Sequence, residues 1–270
     1  MERHGPREIL ITGASSGIGA ALARAYAAEG VTLHLGGRDR DRLEAVAADC
    51  RARGSRAVTR CQDVAEARGM AAWITEACAG GALDLVIANA GISGEAKAAS
   101  GTPDGRPGEA HALAGKILAV NVAGVVNTVY PALEAMLKMP APATGRRGQI
   151  AIMSSLAGFR GMPTAPAYCA SKAALRSLGE GLRPAMARHG IGVSVICPGF
   201  VESPMTEGNP FPMPFLMPAD RAAAIIKRGL ARNRARIAFP LRLAAAAWLF
   251  GILPPAWTDP LVRRAPGRPH

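Results

Sequence analysis

The chain has 270 residues, room for one large domain or two small ones, and is 49% hydrophobic but only 4% aromatic. That balance suits Ala-rich helices packed on aliphatic strands and argues against an all-β sandwich. The net charge of +12 is concentrated late, with ten Lys/Arg beyond Asp220 against only Asp220 and Asp259; no nucleic-acid motif accompanies it, so no nucleic-acid partner is expected.

The five cysteines, Cys50, Cys61, Cys78, Cys169 and Cys197, are scattered and lack CxxC spacing. This excludes a disulfide framework and a zinc site, so a reducing compartment and no metal are expected. Residues 1–8 lack the apolar core of a signal peptide, and no unbroken apolar run reaches the roughly 20 residues that span a bilayer. A cytoplasmic location is the expectation.

In chain order, Glu8–Thr12 reads as a buried strand, followed by a glycine turn and an amphipathic helix, Gly17–Glu29, with Gly30 as its stop. Val31–Gly36 is the second strand and Arg40–Arg53 the second helix. Ala57–Cys61, Leu83–Ala88, Gln149–Met153 and Gly192–Ile196 read as further strands, each followed by a loop and a helix, and Ile237–Phe239 as a last one. The alternation predicts an α/β fold: a doubly wound parallel β-sheet of Rossmann type with helices on both faces. No repeat or linker divides the chain, so one domain is expected over 1–240, with 241–270 a basic, apolar extension of it. The Gly/Pro-rich stretch Gly94–Gly108 is expected to be a mobile surface loop.

The first turn, Thr12-Gly13-Ala14-Ser15-Ser16-Gly17-Ile18-Gly19, has the chemistry of a phosphate cradle. Gly13 permits a tight turn at positive φ, Gly17 lets backbone approach a pyrophosphate, and Gly19 allows close helix–strand contact. The helix starting there presents free N–H groups and its positive dipole end to the phosphates, so Gly13, Ser15, Ser16, Gly17, Ile18 and Gly19 are candidate binding residues.

Where an acid commonly meets the ribose hydroxyls, the second strand ends in Gly36-Gly37-Arg38. Arg38 can pair with a 2′-phosphate, which favours NADP(H) over NAD(H), although the adjacent Asp39 could satisfy Arg38 or face a ribose. Asp63, before Val64, could accept from an adenine amino group or cap a helix over Ala65–Ala79. Asn89-Ala90-Gly91 ends the fourth strand, with small residues where backbone would run beside a cofactor.

Tyr168 and Lys172 stand at i and i+4 and share a helix face. A phenol near its ordinary pKa of ~10 is a weak base; a nearby ammonium and an oxidised nicotinamide favour the phenolate. Ser155, at the end of the fifth strand, could donate to a substrate carbonyl as charge builds on its oxygen; Ser154 is the alternative, on the opposite face of the strand.

TGASSGIG, Asn89-Ala90-Gly91, Asn121 within NVAG, Ser155, YxxxK and Pro198-Gly199 together resemble the short-chain dehydrogenase/reductase family in order and spacing, over roughly Ile9–Thr206. The resemblance implies a catalytic tetrad. Asn121 orders a relay water, Ser155 polarises the carbonyl, Tyr168 is the acid/base, and Lys172 holds the nicotinamide ribose and tunes Tyr168. The family's serine stands thirteen residues before the tyrosine, which selects Ser155 over Ser154. Pro198, Gly199 and Val201 then line the nicotinamide, and Ser203 occupies the usual threonine position. Hydride transfer to the B face and a homodimer or homotetramer are likewise implied by resemblance.

The family's variable lid falls at about 200–218, where Glu202–Pro218 is rich in Pro, Met and Phe. It favours a hydrophobic carbonyl or alcohol substrate. Arg242–Trp257 combines arginine and alanines with Trp248, Leu249, Phe250 and Trp257, and could pack in the oligomer or lie peripherally on a membrane. A non-catalytic NADP(H)-binding regulator of the same fold is the alternative to an enzyme. A nucleotide-sugar epimerase is disfavoured by the lack of a sizeable C-terminal substrate domain.

Overall fold

The computed structural model describes residues 5–94, 111–140, 146–207, 209 and 212–264. Its first strand, β1 (Glu8–Thr12), turns Ile9 and Ile11 to one side of a sheet and Leu10 to the other, and all three are fully buried. A strand covered on both faces needs no polar alternation, and this one has none. Burial throughout recurs in β4 (Leu85–Ala88), β5 (Gly148–Met153) and β6 (Ile191–Pro198), while β2 (Thr32–Gly37) is partly covered and the edge strands β3 (Arg56–Cys61) and β7 (Arg236–Phe239) expose some residues. These seven strands form one parallel sheet in the order β3-β2-β1-β4-β5-β6-β7.

Two apolar layers enclose it. Residues of α1 (Gly17–Tyr26), α2 (Arg40–Ala52) and α7 (Ala219–Ala231) join Ile9, Ile11, Leu33 and Leu35 on one face. On the other, α3 (Ala67–Ala77), α5 (Gly124–Lys138) and α6 (Pro166–Ala187) close over Leu10, Val86, Ile150 and Ile152. The expected doubly wound sheet is the observed one. Because the order reverses between β1 and β4, a crevice opens beyond their C-terminal ends, where such sheets bind ligands.

Several boundaries differ from expectation for local reasons. The first helix ends at Tyr26 rather than Glu29: Tyr26 is the last buried side chain, Ala27 turns extended, and Gly30, at φ +73°, belongs to the loop beyond. The helix expected over Ala65–Ala79 is α3, which begins only at Ala67, after Asp63 has closed a shorter turn onto the Ala65 N–H. Asp63 is therefore not its N-cap, a place Glu66 takes. The tail is two helices, α8 (Leu241–Ile252) and α9 (Pro255–Arg264), separated at Leu253–Pro254 and restarted with proline at the first helical position. The loop Gly94–Gly108 lies, after Gly94, outside the described residues.

The helical run His111–Lys138 joins α4 (His111–Leu118) to α5 through a π-turn at Ala119–Ala123. Its 28 residues include an 18-residue stretch of mean hydropathy 1.6, so by length and composition it could cross a bilayer, contrary to the expectation from unbroken apolar runs. Val125, Val129, Ala132, Leu133 and Met136 are instead buried in the core against the sheet and α3.

Gly36 has a packing reason of its own. A Cβ there would stand 2.4 Å from the Trp73 ring of α3. Gly36→Ala is expected to cost about 1–3 kcal/mol by displacing that buried indole, seen as a lower Tm in thermal unfolding.

Candidate active site

At the crevice, Gly13 (φ +65°) and Gly17 (φ +52°) adopt the left-handed backbone that their motif predicts. The turn is also too tight for side chains: a Cβ on Gly19 would stand 2.1 Å from the Gly13 carbonyl oxygen. Ser16 occupies the N-cap of α1 without bonding its side chain to the helix N–H groups, leaving the helix start unsatisfied by its own cap. A β4–β1 lattice holds this turn. Asn89 Nδ2 donates to the carbonyls of Thr12 (3.0 Å) and Gly13 (3.1 Å), while Thr12 Oγ1 accepts from the N–H groups of Asn89 (3.0 Å) and Ala90 (3.1 Å).

The second strand delivers Gly37 against Ser15 and leaves Arg38 exposed at its end. Asp39 does not engage it. Its carboxylate caps α2 by accepting from the Arg42 N–H at 3.0 Å and pairs with the Arg42 guanidinium at 3.0 Å. Among the described ion pairs Arg38 has none. Asp63 stands exposed beyond β3, and buried Val64 packs on Gly124 of α5.

The catalytic candidates converge from three elements. Just beyond the end of β5 stand Ser154 and Ser155, which part company. Ser154 is buried and donates to the Lys172 carbonyl at 2.7 Å, fastening strand to helix. Ser155 accepts from the Ala157 N–H at 3.1 Å, lies 3.4 Å from the Pro198 carbonyl, and is near enough to the Tyr168 phenol to pull its pKa down. Proline at the first position of α6 starts the helix just before Tyr168, and the i, i+4 spacing sets Lys172 Nζ 5.6 Å from the Tyr168 ring centre. Lys172 Nζ donates to the Met153 carbonyl at 3.0 Å and is only 4% exposed.

Asn121 enters from the π-turn, a local widening of the helical ladder that recurs at functional sites. Its Oδ1 accepts from the Ile92 N–H at 2.8 Å; its Nδ2 donates to the Ile92 carbonyl at 2.9 Å and to Ser171 Oγ at 3.0 Å. Ser171 in turn donates to the Tyr168 carbonyl at 2.7 Å. A Cβ on Gly91 would lie 3.2 Å from Asn121 Oδ1 and 3.4 Å from Lys172 Nζ, so glycine at that position keeps the site open.

Burial governs the electrostatics. It lowers the Lys172 pKa to about 8, still protonated at neutral pH. It also raises the Tyr168 phenol above its ordinary value, with Ser155 pulling the other way. In the protein by itself the phenol is thus held protonated, and the ammonium does not bring it into the neutral range.

The remaining candidates frame the far side. Gly199 donates to the Phe239 carbonyl at 2.8 Å, and a Cβ on it would meet Leu243 at 3.0 Å. Val201 is buried and bridges to Met217, tying together the two ends of the lid, whose described residues include turns. Ser203 lies against the glycine turn, its Cβ 2.9 Å from where a Gly17 Cβ would stand.

Four contributors were given no supporting role from the sequence: Thr12 and Ser171 inside their motifs, Ser154 beyond its place as the alternative to Ser155, and Gly158, whose hypothetical Cβ would stand 2.8 Å from the Lys172 backbone. Each touches backbone rather than ligand. A buried Ser or Thr beside a motif residue is the signal that could have found three of them.

The family model for short chain dehydrogenase matches residues 7–210. This chain belongs to the short-chain dehydrogenase family. An oxidoreductase of Myxococcus xanthus is 37% identical over 260 residues, covering 96% of this chain and 97% of its own. A 3-oxoacyl-[acyl-carrier protein] reductase from Brucella melitensis, solved in complex with NAD, superposes with TM-score 0.75 at 26% identity over 90% of this chain and 98% of its own. A Burkholderia cenocepacia short chain dehydrogenase in complex with NADP gives 0.71 at 26% identity, covering 86% and 94%. This short-chain dehydrogenase is accordingly an oxidoreductase of CH–OH groups that uses a nicotinamide cofactor.

Proposed function

We propose that the protein interconverts a hydrophobic ketone or aldehyde and its alcohol with NADP(H), Tyr168 serving as the proton donor and acceptor. The observation that carries this reading is the Tyr168 ring 5.6 Å from the buried Lys172 Nζ, with Ser155 near enough to draw the phenol pKa down. The bound nicotinamide supplies or accepts the hydride. Ser155 offers its hydroxyl to the substrate oxygen as negative charge develops there. Tyr168, kept protonated by burial, gives its proton to that oxygen in reduction. In oxidation the Lys172 cation would favour the phenolate, a bias to which an oxidised nicotinamide would add its own positive charge. The Asn121 amide is engaged by Ile92 and Ser171. A relay water on this residue would therefore be held by main-chain carbonyl.

The crevice has the donors a dinucleotide requires. Gly13, Ser15, Ser16, Gly17, Ile18 and Gly19 would hold the pyrophosphate at the start of α1. Asp63 and Val64 would meet the adenine, and Asn89, Ala90 and Gly91 would pass beside the cofactor. Tyr168 and Lys172 would bind the nicotinamide ribose, with Pro198, Gly199, Val201 and Ser203 on the nicotinamide side. NADP(H) is favoured because Asp39 is occupied by Arg42, leaving Arg38 without an ion pair. Arg38→Ala should weaken NADPH about 10- to 100-fold, the worth of one charge-assisted contact, and NADH far less. Titration of both cofactors by fluorescence checks this, and equal losses would reverse the assignment.

The lid exposes Met205, Phe215 and Leu216, which supports an apolar substrate. Family membership supports a homodimer or homotetramer. The test is NADPH consumption against a panel of aldehydes, ketones and long-chain 3-oxo compounds. NADPH that binds but is consumed with none of them would transfer the protein to the regulator class.

A further inference from the structure

The C-terminal extension grips the body with one side of each helix and turns an apolar side outward. On α8, Leu243, Ala244 and Ala247 pack against Leu156, Phe159 and Ala238. Leu241, Ala245, Trp248, Leu249 and Ile252, spaced i, i+4, i+7, i+8 and i+11, form the opposite face. Leu241 is 80% exposed and Ile252 57%. The same division holds on α9, where Thr258 and Val262 are buried while Trp257 and Leu261 are 70% and 57% exposed. Large apolar side chains normally reach solvent singly; here six share two consecutive helices.

Charge selects the occupant. There is no acid on α8, and Asp259 of α9 is paired with Arg160 at 2.6 Å. Exposed Arg242 flanks the apolar face, and the sequence continues with Arg263, Arg264 and Arg268 in a chain of net charge +12. A second copy of this face would bring more of the same positive charge, and the one acid on α8 and α9, Asp259, is already paired with Arg160. An anionic bilayer supplies the counter-charge, accepts tryptophan at its headgroup level and lets arginine reach the phosphates while its stem stays apolar.

We propose that α8 and α9 seat the protein on an anionic membrane surface and that its carbonyl substrate is drawn from the lipid phase. The seat adjoins the chemistry. Leu243 of α8 lies beside Gly199, where the lid begins, and α8 packs on the turn Leu156–Gly158 that follows Ser155. A substrate leaving the bilayer there would meet a lid whose own exposed residues are apolar. The substrate class rests on the reductase reading above, whereas the membrane seat stands independently of it.

Flotation of the full chain with vesicles tests the seat. Vesicles of mixed phosphatidylglycerol and phosphatidylcholine should carry the protein, and pure phosphatidylcholine should carry about tenfold less. Trp248→Glu with Ile252→Glu should reduce binding to the anionic vesicles by about tenfold or more, while NADPH affinity and thermal melting stay near those of the parent. If that pair fails to fold, Trp257→Glu on α9 must produce the same loss in smaller measure. Absence of vesicle binding, or binding unchanged in the variants, overturns the proposal. So does a variant whose sole effect is to dissociate the oligomer in sedimentation, which assigns the face to a second copy. Vesicle binding without turnover of any carbonyl would defeat the reductase reading and leave the seat; turnover without vesicle binding would do the reverse.

Discussion

Tyr168→Phe is expected to lower turnover by about 10²–10⁴-fold while changing NADPH affinity by less than about tenfold. The substitution removes one oxygen and keeps the ring that packs beside Lys172 Nζ. What disappears is the hydroxyl and the proton that burial holds on it. Steady-state rates on any accepted carbonyl, with cofactor affinity from fluorescence quenching, separate the two effects. Turnover within tenfold of the parent would mean that another group moves the proton, and the Ser155–Tyr168 pair would lose its assigned role.

Lys172→Met should abolish most turnover and yet stabilise the fold. The ammonium is 4% exposed, donates to the Met153 carbonyl, and has its pKa lowered from 10.5 to about 8 by burial. The unfolded chain therefore holds this proton more tightly than the folded one. Below about pH 8 the buried charge destabilises the fold, and the penalty fades as pH rises from about 8 toward 10.5, so the parent gains stability from this group across that window. Methionine fills similar space without charge, and the gain at pH 7 is of order 1–3 kcal/mol after the lost hydrogen bond is counted. Urea unfolding at pH 7 and pH 9.5 should show the variant ahead at the lower pH and the gap narrowing at the higher. A variant less stable at both would show that Lys172 is not a strained cation. A cation retained against stability is what a site needing positive charge beside a phenol would keep.

The sheet was legible because both-face burial leaves unbroken aliphatic runs such as EILIT, and glycine marks the turns that follow them. Strand ends moved by a residue or two, since the last ladder bond depends on a neighbour remote in sequence. That Tyr168 and Lys172 share a helix face was readable from their spacing, and the glycine turn elsewhere in the chain singled them out. Ser155 needed the family spacing, and the structure separates it from Ser154 by a bond to the Lys172 carbonyl, which no local pattern announces. The π-turn beneath Asn121 was invisible because a shifted hydrogen-bond register leaves no mark in composition. Gly36 was read only as part of the strand end where an acid commonly meets the ribose, and Asp39 as able to satisfy Arg38 or face a ribose. Their immediate partners are Trp73, thirty-odd residues away, and Arg42, three residues on, and it is the second of these that leaves Arg38 without an ion pair. The tail was correctly seen as apolar and basic, but its division into gripping and outward faces required the packing of α8 on Leu156 and Phe159.

The central claim is that this chain moves a hydride between NADP(H) and a substrate carbon under the control of Tyr168. The most direct measurement uses NADPH deuterated at the nicotinamide C4 on the B face, a carbonyl from the panel, and the mass of the alcohol formed. The account predicts an alcohol carrying a single deuterium on its carbinol carbon, with that product reduced to a trace in Tyr168→Phe. An alcohol without label from cofactor deuterated on either face, or labelled alcohol formed equally well by the variant, would contradict it.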